Sequence, residues 1–325
     1  MNARDPGFVS RLESRVRGEV RQQELLSRYT TYRIGGPATV LLAADAADVE
    51  AALAVAAEAG IRWLVLGLGS NVLLPDAGLE ALVIRMGKGL DRVQSDGAVW
   101  RLGAGLPAPL AARKTAEAGW SGLHKMVGVP GTVGGGVFMN AGCHGASWSD
   151  VVRSVTVALP QGGVEVRPRH DIGFAYRRSG LEGAVVLETE VQLAAEQPAR
   201  LTEEVNDLFR WRQEGTPFNR PCCGSVFQNP ARAPAGPDGR PMTAGRLIEA
   251  AGFKGYRAGG AEVSKLHANY IVNTGEATAA DVRRAIAEVQ AGVAARFGVQ
   301  LETEVKLIRP DGGTEPHHEA GPGAG

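Results

Sequence analysis

The feature that most constrains this chain is a glycine-rich stretch in mid-sequence, GVPGTVGGGVFMNAGCHG, which runs from Gly128 to Gly145. Seven of its eighteen residues are glycine, and none is Asp, Glu, Lys or Arg. Glycine permits close approach to the backbone, and rows of free backbone N–H groups bind anions such as phosphate. We therefore expect either a set of tight turns here or a backbone that lies against a phosphate-bearing ligand.

A second glycine loop, LGLGSNVLL at 66–74, directly follows a predicted strand. The chain contains no G-x-x-x-x-G-K-[ST] motif. The pairs Gly67/Gly69 and Gly103/Gly105 both lack the third glycine of G-x-G-x-x-G. These observations exclude a P-loop and a Rossmann turn, and loop composition alone leaves tight turns and a phosphate cradle as equal alternatives.

Charge and cysteine content exclude several functional classes. Lys+Arg and Asp+Glu both number 35, so a formal net charge of zero argues against binding to nucleic acid or to an anionic membrane. The N-terminus lacks the apolar core of a signal peptide, and no apolar run reaches the length of a membrane span. Three cysteines without a C-x-x-C pair predict neither a disulfide framework nor a metal site. We expect a cytoplasmic monomer without bound metal.

Hydrophobic periodicity predicts an α+β chain. Asp45 is placed to cap one helix, and Thr278 with Asp281 forms a capping pattern for another. The first twenty or so residues are predicted to form a loose arm or a short helix. The predicted helices are 45–60, 107–119, 199–215, 243–252 and 278–298, and the predicted strands are 61–67, 81–85, 98–105, 151–159, 163–168, 184–193, 268–273 and 300–308.

The last predicted strand, QLETEVKLI, alternates between two faces. One face is predicted to carry Leu301, Thr303, Val305 and Leu307. The opposite face is predicted to carry Glu302, Glu304, Lys306 and Ile308.

Eight short motifs occur in a fixed order along the chain. They are YRIGGPA, LGLGSNVLLPDAG, GVPGTVGGGVFMNAG, AYRRS, CGSVFQNP, AGRLIEAAGFKG, AEVSKLHANYIVN and LETEV. Together they resemble the UDP-N-acetylenolpyruvoylglucosamine reductase (MurB) family over roughly residues 22–308. The compact YRRS region and the short connection that follows it resemble the type II branch of that family.

The resemblance implies a fold with two parts. The FAD-binding fold of the vanillyl-alcohol oxidase/PCMH type would have two subdomains that divide near residue 85, and a C-terminal α+β domain would bind substrate. The expected bounds are 1–21 for an N-terminal arm, 22–197 for the FAD-binding domain, 198–309 for the C-terminal domain and 310–325 for a disordered tail.

The resemblance also implies noncovalently bound FAD, with the two glycine loops against its diphosphate and the edge of its isoalloxazine ring. This would give the glycine-rich backbone a ligand. The expected cofactor-binding residues are Tyr32, Gly35, Gly36, Gly67, Gly69, Ser70, Asn71, Gly131, Thr132, Gly134, Gly135 and Asn140.

The reaction implied is the NADPH-dependent reduction of UDP-N-acetyl-3-O-(1-carboxyvinyl)-glucosamine to UDP-N-acetylmuramate, a step of peptidoglycan precursor synthesis. Hydride would come from flavin N5 and a proton from Ser225. Arg177 would pair with the substrate carboxylate as negative charge develops, and Glu304 would orient that carboxylate or share its proton.

Each catalytic candidate has an alternative. Ser225 could cap a turn or act as a hydrolase nucleophile, although no G-x-S-x-G elbow surrounds it. Arg178 would point away from Arg177 if the segment is a strand. Glu302 lies two residues from Glu304 on the same predicted face and is its main rival.

Substrate-binding candidates lie in the C-terminal part of the chain. They are Asn229, Lys265, His267 and Asn269. Gln228 stands where the family more often has lysine, so Lys254, Arg257 or Lys265 would supply the missing positive charge. We assign no function to the long Pro/Gly-rich insertion at 231–242.

Two other functions fit parts of the same pattern. A flavin oxidase of the same fold would bind the same cofactor but would use oxygen rather than NADPH. A non-catalytic nucleotide-sugar binder would have lost its flavin site. Ser225 and Glu304 argue against the oxidase, and the intact glycine loops together with Arg177, Ser225 and Glu304 argue against the binder.

Overall fold

A computed structural model describes residues 2–315 of the chain. Two compact units form from interleaved segments. The described residues of the first unit fall within Met1–Glu24, Ala38–Leu68 and Glu80–Trp211. Those of the second unit fall within Leu25–Pro37, Gly69–Leu79 and Arg212–Gly325.

Helices and strands mix throughout both units, as an α+β fold requires. The helices are α1 (Pro6–Glu13), α2 (Ala46–Glu58), α3 (Ala108–Glu117), α4 (Val133–Phe138), α5 (Pro198–Gly215), α6 (Ala244–Ala250) and α7 (Ala279–Phe297). The strands are β1 (Glu19–Leu25), β2 (Pro37–Ala43), β3 (Trp63–Leu66), β4 (Val72–Leu73), β5 (Leu82–Met86), β6 (Val93–Asp96), β7 (Val99–Gly103), β8 (Trp120–Ser121), β9 (Gly142–Cys143), β10 (Ala146–Ser147), β11 (Val152–Ala158), β12 (Val164–Pro168), β13 (Val185–Gln192), β14 (Ala194–Ala195), β15 (Arg257–Ala258), β16 (Ala261–Val263), β17 (Ile271–Asn273) and β18 (Lys306–Leu307).

Two sheets organise the first unit. One has the order β1-β2-β5-β3, and both β2 and β3 run parallel to β5, with Leu66 opposite Arg85. The other has the order β12-β11-β13-β7-β6 and is antiparallel throughout. This second sheet contains the strands predicted at 151–159, 163–168 and 184–193, which pair as antiparallel neighbours.

Local signals placed several elements correctly. The Asp45 carboxylate accepts a hydrogen bond from the Asp48 N–H at the start of α2. A capping box joins Thr278 and Asp281 at the start of α7, because each side chain accepts from the backbone of the other residue. Both predicted helix starts are confirmed.

Of the two alternatives for the first twenty residues, the structure shows the short helix. Helix α1 buries Phe8, Val9 and Leu12, all at most 2% exposed, in the hydrophobic core of the first unit. A loose arm would leave these three apolar side chains in water. Burying each stabilises the fold by about 1.5–3 kcal/mol, which explains why the segment packs.

The glycine-rich stretch contains a helix where we predicted only a loop. Helix α4 packs so closely that a Cβ at Gly134 would lie 2.8 Å from the Ala104 Cβ, and one at Gly136 would lie 2.4 Å from the Trp148 Nε1. Gly134 and Gly136 therefore serve internal packing. Gly135 lies between them on the exposed side of the helix.

The second unit has its own hydrophobic core. Its sheet has the antiparallel order β15-β16-β17, and strand β4 runs parallel to β18. Helix α7 buries one face, including Val282, Ile286, Val289 and Val293, in that core.

The predicted strand 300–308 is shorter than expected. Only Lys306–Leu307 is regular, because the N–H groups of Glu304 and Val305 both reach the Val226 carbonyl, at 2.7 and 3.3 Å. Glu304 and Val305 thus lie opposite a single residue, Val226, and this arrangement is a β-bulge that bends the chain. Leu301, Thr303, Val305 and Leu307, which we placed on one face, are all buried, but Ile308, which we placed on the other face, is only 1% exposed as well.

The predicted boundary between residues 197 and 198 lies at the start of helix α5, whereas the first compact unit extends further, to Trp211. Of the predicted tail, residues 316–325 lie outside the described residues. Residues 310–315 are described, and Glu315 pairs with Arg283 at 2.7 Å. Within the described part of the chain, none of the helices is both long and apolar enough to cross a membrane.

Candidate active site

Within the first unit, the start of the loop at 66–74 meets the glycine-rich stretch, with Gly67 next to Thr132. A Cβ at Gly67 would lie 2.7 Å from the Thr132 Oγ1, so no other residue fits there without a shift of Thr132. The same Oγ1 accepts a hydrogen bond from the Gly135 N–H at 3.3 Å. The structure therefore brings together two loops that lie more than sixty residues apart in sequence.

The amide groups of the first loop remain available for a ligand. Among the described residues, 2–315, none accepts a hydrogen bond from the N–H groups of Gly67 and Leu68. Adjacent free N–H groups of this kind form an anion-binding concavity. The first unit thus offers the features that a diphosphate requires.

The glycines among the cofactor candidates of the second unit pack closely against other parts of that unit. A Cβ at Gly36 would lie 2.0 Å from the Asp76 carbonyl, and one at Gly69 would lie 2.2 Å from the Tyr29 carbonyl. A Cβ at Gly35 would lie 2.9 Å from that of Leu26. These three glycines are required by internal packing, whatever they do for a ligand.

The polar cofactor candidates of the second unit differ in exposure. Tyr32 is fully buried, and burial, followed by the neighbouring Cys223, raises the pKa of its hydroxyl. Ser70 is half-buried. Asn71 is also half-buried, and its Nδ2 donates to the Glu304 carbonyl at 3.3 Å.

Asn140 holds the segment that carries Arg177. Its Nδ2 donates to the Ala175 carbonyl at 2.9 Å, and its Oδ1 accepts from the Ser149 N–H at 3.0 Å. Both the Nδ2 and the Oδ1 of this buried amide therefore hydrogen-bond to the protein backbone, and Asn140 supports the segment that carries Arg177.

Arg177 lies in a tight turn and not in a strand, so the strand-based argument about its neighbour does not apply. Ala175 and Arg178 exchange backbone hydrogen bonds, which leaves Tyr176 and Arg177 at the tip. Arg177 has a φ of 56°, a left-handed conformation that costs a residue with a Cβ about 1 kcal/mol or more. Its Nη2 donates to the Gly142 carbonyl at 3.1 Å. Arg177 is half-buried and Arg178 is exposed.

Ser225 lies in an irregular segment of the second unit that Asn269 holds in place. The Asn269 Oδ1 accepts from the Phe227 N–H at 2.9 Å, and its Nδ2 donates to the Phe227 carbonyl at 2.8 Å. The Asn269 carbonyl also accepts from the Val226 N–H at 2.9 Å. Asn269 is 5% exposed, so its amide is committed to the backbone beside Ser225.

Replacing Asn269 with alanine would leave both buried backbone groups of Phe227 without a partner. Each unsatisfied group costs about 1–3 kcal/mol, so we expect the free energy of unfolding to fall by about 2–6 kcal/mol. Chemical denaturation of the purified variant measures this. The exposed Asn219→Ala change should alter the free energy by less than about 0.5 kcal/mol, and an equally small effect at Asn269 would contradict the assignment.

Glu304 and Glu302 occupy different environments, although they are two residues apart. The Glu304 N–H donates to the Val226 carbonyl, next to Ser225 in sequence, whereas the Glu302 carbonyl accepts from the Gln228 N–H at 2.9 Å. Glu304 is half-buried and Glu302 is exposed. Backbone hydrogen bonds therefore tie Glu304 to the segment that carries Ser225.

The unexpected Gln228 has a structural use. Its Nε2 donates to the Thr303 carbonyl at 3.4 Å. Of the cations expected to replace the missing lysine, Lys254 pairs with Glu249 at 2.7 Å and Arg257 pairs with Glu262 at 2.5 Å. Exposed Lys265 has no carboxylate partner among residues 2–315 and is the remaining candidate.

His267 is held as a neutral side chain. Burial, followed by the positive charges of Arg212 and Lys254, lowers the pKa of His267 below its ordinary value. Its Nδ1 accepts from the Asn269 N–H at 3.2 Å, which leaves Nε2–H as a donor. Exposed Asn229 uses its Oδ1 to accept from the Ala244 N–H at the start of α6, at 3.0 Å.

The structure also shows a surface cavity, but this cavity is not lined by the predicted residues. It has a volume of about 570 Å³, lies in the first unit and is lined by His144, Arg200, Glu203, Glu204, Asp207, Leu208 and Trp211. Across residues 2–315, no group of three or more His, Cys, Asp and Glu side chains is placed to hold a metal ion.

Two arginines that contact predicted elements of the site, Arg85 and Arg212, were not among the residues predicted from the sequence. Arg85 interrupts the otherwise buried strand β5, and a basic residue inside an apolar strand was the available signal. Arg212 lies half-buried with its Cζ 5.7 Å from the Tyr270 ring centroid, a contact between distant residues that no local pattern indicates.

Two family models and several curated relatives match this chain. The family model "FAD binding domain" matches residues 37–166, and "UDP-N-acetylenolpyruvoylglucosamine reductase, C-terminal domain" matches residues 216–308. UDP-N-acetylenolpyruvoylglucosamine reductase 1 of Bacillus thuringiensis is 38% identical over 295 residues, covering 90% of this chain and 95% of that protein. The corresponding reductase of Halalkalibacterium halodurans is 38% identical over 304 residues, covering 93% of this chain and 98% of that protein.

A solved structure shows the same similarity. The crystal structure of UDP-N-acetylenolpyruvylglucosamine reductase from Thermus caldophilus superposes with a TM-score of 0.74 at 32% sequence identity. The alignment covers 89% of this chain and 99% of that chain.

Proposed function

Because the chain belongs to the UDP-N-acetylenolpyruvoylglucosamine reductase family, we propose that it reduces UDP-N-acetyl-3-O-(1-carboxyvinyl)-glucosamine to UDP-N-acetylmuramate with NADPH as co-substrate. The chain is an FAD-dependent oxidoreductase with the FAD-binding fold of the vanillyl-alcohol oxidase type and a C-terminal substrate-binding domain. It acts in peptidoglycan precursor synthesis, and therefore in cell-wall formation, cell shape and division.

The residues of the first unit fit FAD. Free N–H groups at Gly67 and Leu68 suit a diphosphate, and Gly135 offers an exposed backbone next to Thr132. Bound FAD would supply the hydride, received from NADPH, that adds to the terminal carbon of the enolpyruvyl group. The protein's own residues would supply binding, orientation and the proton.

Ser225 would donate a proton to the carbon that bears the carboxylate. Hydride addition to the neighbouring carbon places negative charge there as an enolate, which is a base strong enough to take a proton from an alcohol. The new C–H bond completes the lactyl ether, and Ser225 regains its proton from solvent. The backbone hydrogen bond from Glu304 to Val226, at 2.7 Å, is the observation that most supports these roles, because it ties the two predicted catalytic segments together.

Arg177 would bind the substrate carboxylate and stabilise the enolate. A guanidinium cannot lose its proton and presents two parallel donors to a carboxylate. The strained backbone of Arg177 supports this role, since strain of this kind concentrates at functional positions.

Glu304 would orient the substrate carboxylate from its place beside the Ser225 segment. Lys265 and the Nε2–H of His267 are positive or donating groups for the nucleotide diphosphate and sugar. The Oδ1 of Asn229 bonds the protein, and its Nδ2 would donate to the substrate. The amide of Asn269 would instead support the segment that carries Ser225.

Exchanging Arg177 for methionine should lower kcat/KM for the nucleotide sugar by about tenfold to one-hundredfold, the range for losing hydrogen bonds to a charged group. Steady-state NADPH oxidation measures the effect. The neighbouring Arg178→Met change removes the same charge from the exposed side of the turn and should alter kcat/KM by less than about twofold. Equal losses in the two variants would contradict the role of Arg177.

A direct assay tests the proposed function as a whole. NADPH oxidation should depend on the enolpyruvyl nucleotide sugar and should yield the lactyl ether in equal amount. An oxidase of the same fold would instead consume oxygen with an alcohol substrate and would not need NADPH.

A further inference from the structure

Arg85 interrupts a strand that is otherwise buried. The other four residues of β5 are Leu82, Val83, Ile84 and Met86, and each is at most 3% exposed. Parallel strands covered on both faces are normally continuous apolar runs, so a guanidinium within one must have polar partners.

Arg85 contacts three backbone carbonyls, two of them at the start of the first glycine loop. Its Nη1 lies 3.3 Å from the Leu66 carbonyl and 3.0 Å from the Met86 carbonyl, and it also donates to the Gly67 carbonyl. The register of the parallel sheet places Leu66 opposite Arg85, so the contact follows from the pairing of β3 with β5.

These contacts fix the direction of the free amides. In a planar trans peptide, the C=O of one residue and the N–H of the next point in opposite directions. Because the carbonyls of Leu66 and Gly67 face Arg85, the N–H groups of Gly67 and Leu68 point away from it. These are the two amides that have no acceptor among the described residues.

The geometry points to Arg85 as a positioning residue for the FAD diphosphate. It holds the carbonyls of the loop on one side, so that the amides of Gly67 and Leu68 are presented to the diphosphate on the other. It also places a positive charge behind those amides, which favours an anion in front of them. This inference rests on the proposed placement of the diphosphate at the first glycine loop.

The experiment compares FAD with riboflavin, which has the same isoalloxazine ring but lacks the diphosphate and the adenosine. The full-length chain is stripped of FAD, and the Kd values for FAD and for riboflavin are measured by flavin fluorescence. Arg85→Met removes the charge and the donors but keeps the aliphatic length. Arg85→Lys keeps a charge and a donor. Arg153→Met, on the exposed face of β11, is the matched control for loss of one arginine.

We expect Arg85→Met to weaken FAD binding by about tenfold to one-hundredfold and riboflavin binding by less than about twofold. Arg85→Lys should recover part of the loss, and Arg153→Met should change neither affinity. If Arg85→Met weakens both ligands equally, or neither, Arg85 does not position the diphosphate. If this variant does not fold, the same comparison is made between Arg85→Lys and the wild type, where an unchanged ratio of the two affinities overturns the inference.

A Gly67→Ala variant separates this inference from the function on which it rests. Its added Cβ would press on Thr132 and should also weaken FAD more than riboflavin. Loss of FAD affinity in Gly67→Ala but not in Arg85→Met would overturn the role of Arg85 alone. Unchanged FAD affinity in Gly67→Ala would overturn the placement of the diphosphate at this loop, and the inference with it.

Discussion

A Ser225→Ala variant is expected to be reduced by NADPH at the normal rate and to turn over the nucleotide sugar about 10²–10⁴ times more slowly, the usual contribution of a positioned general acid. Reduction does not require the serine hydroxyl, because the proton is needed only after hydride reaches the substrate. Anaerobic stopped-flow absorbance, with NADPH and then with the nucleotide sugar, measures the two half-reactions separately.

The control for Ser225 is a serine elsewhere on the surface. Ser95→Ala, at an exposed position in β6, should leave both half-reactions unchanged. Near-normal reoxidation of the Ser225→Ala variant by the nucleotide sugar would remove Ser225 from the role of proton donor. Slow reduction by NADPH in the same variant would instead indicate damage to the flavin site.

Changing Glu304 to glutamine should slow the reaction with the nucleotide sugar by about 10²-fold, because the amide keeps the shape but loses the charge and the proton affinity of the carboxylate. Glu302→Gln is the matched control, since it makes the same chemical change two residues away on an exposed side chain. The rates of substrate-dependent reoxidation decide between them. A larger effect at Glu302 would reverse the assignment.

Where a local signal exists, the sequence predicted the fold well. Asp45 at the start of α2 and the Thr278–Asp281 capping box at the start of α7 depend on residues three positions apart, so a single sequence contains all the information. The order of motifs likewise predicted the family and the cofactor.

Where a feature depends on distant residues, the sequence could not show it. The alternation of residues 300–308 predicted a regular strand, but the shared hydrogen bonds of Glu304 and Val305 to Val226 bend it. Gly134 was predicted to lie against a ligand, and the structure shows that both it and Gly136 also pack closely, against Ala104 and Trp148. Both outcomes depend on packing partners that lie elsewhere in the chain.

The candidate site shows the same division. Short motifs indicated Ser225, Glu304 and Arg177, but not how each is supported. The turn that strains Arg177 and the amide of Asn269 that holds Phe227 are visible only in three dimensions. The position of Arg85 in a run of apolar residues was a visible signal, but the carbonyls that it contacts next to a neighbouring strand could not be predicted from its own segment.

The most direct test of the account is an anaerobic titration of the purified chain. We predict that the protein carries FAD, that NADPH bleaches its visible absorbance, and that an equimolar amount of UDP-N-acetyl-3-O-(1-carboxyvinyl)-glucosamine restores the colour while UDP-N-acetylmuramate forms. A chain that takes up no FAD, or whose colour returns only when oxygen is admitted, would contradict it.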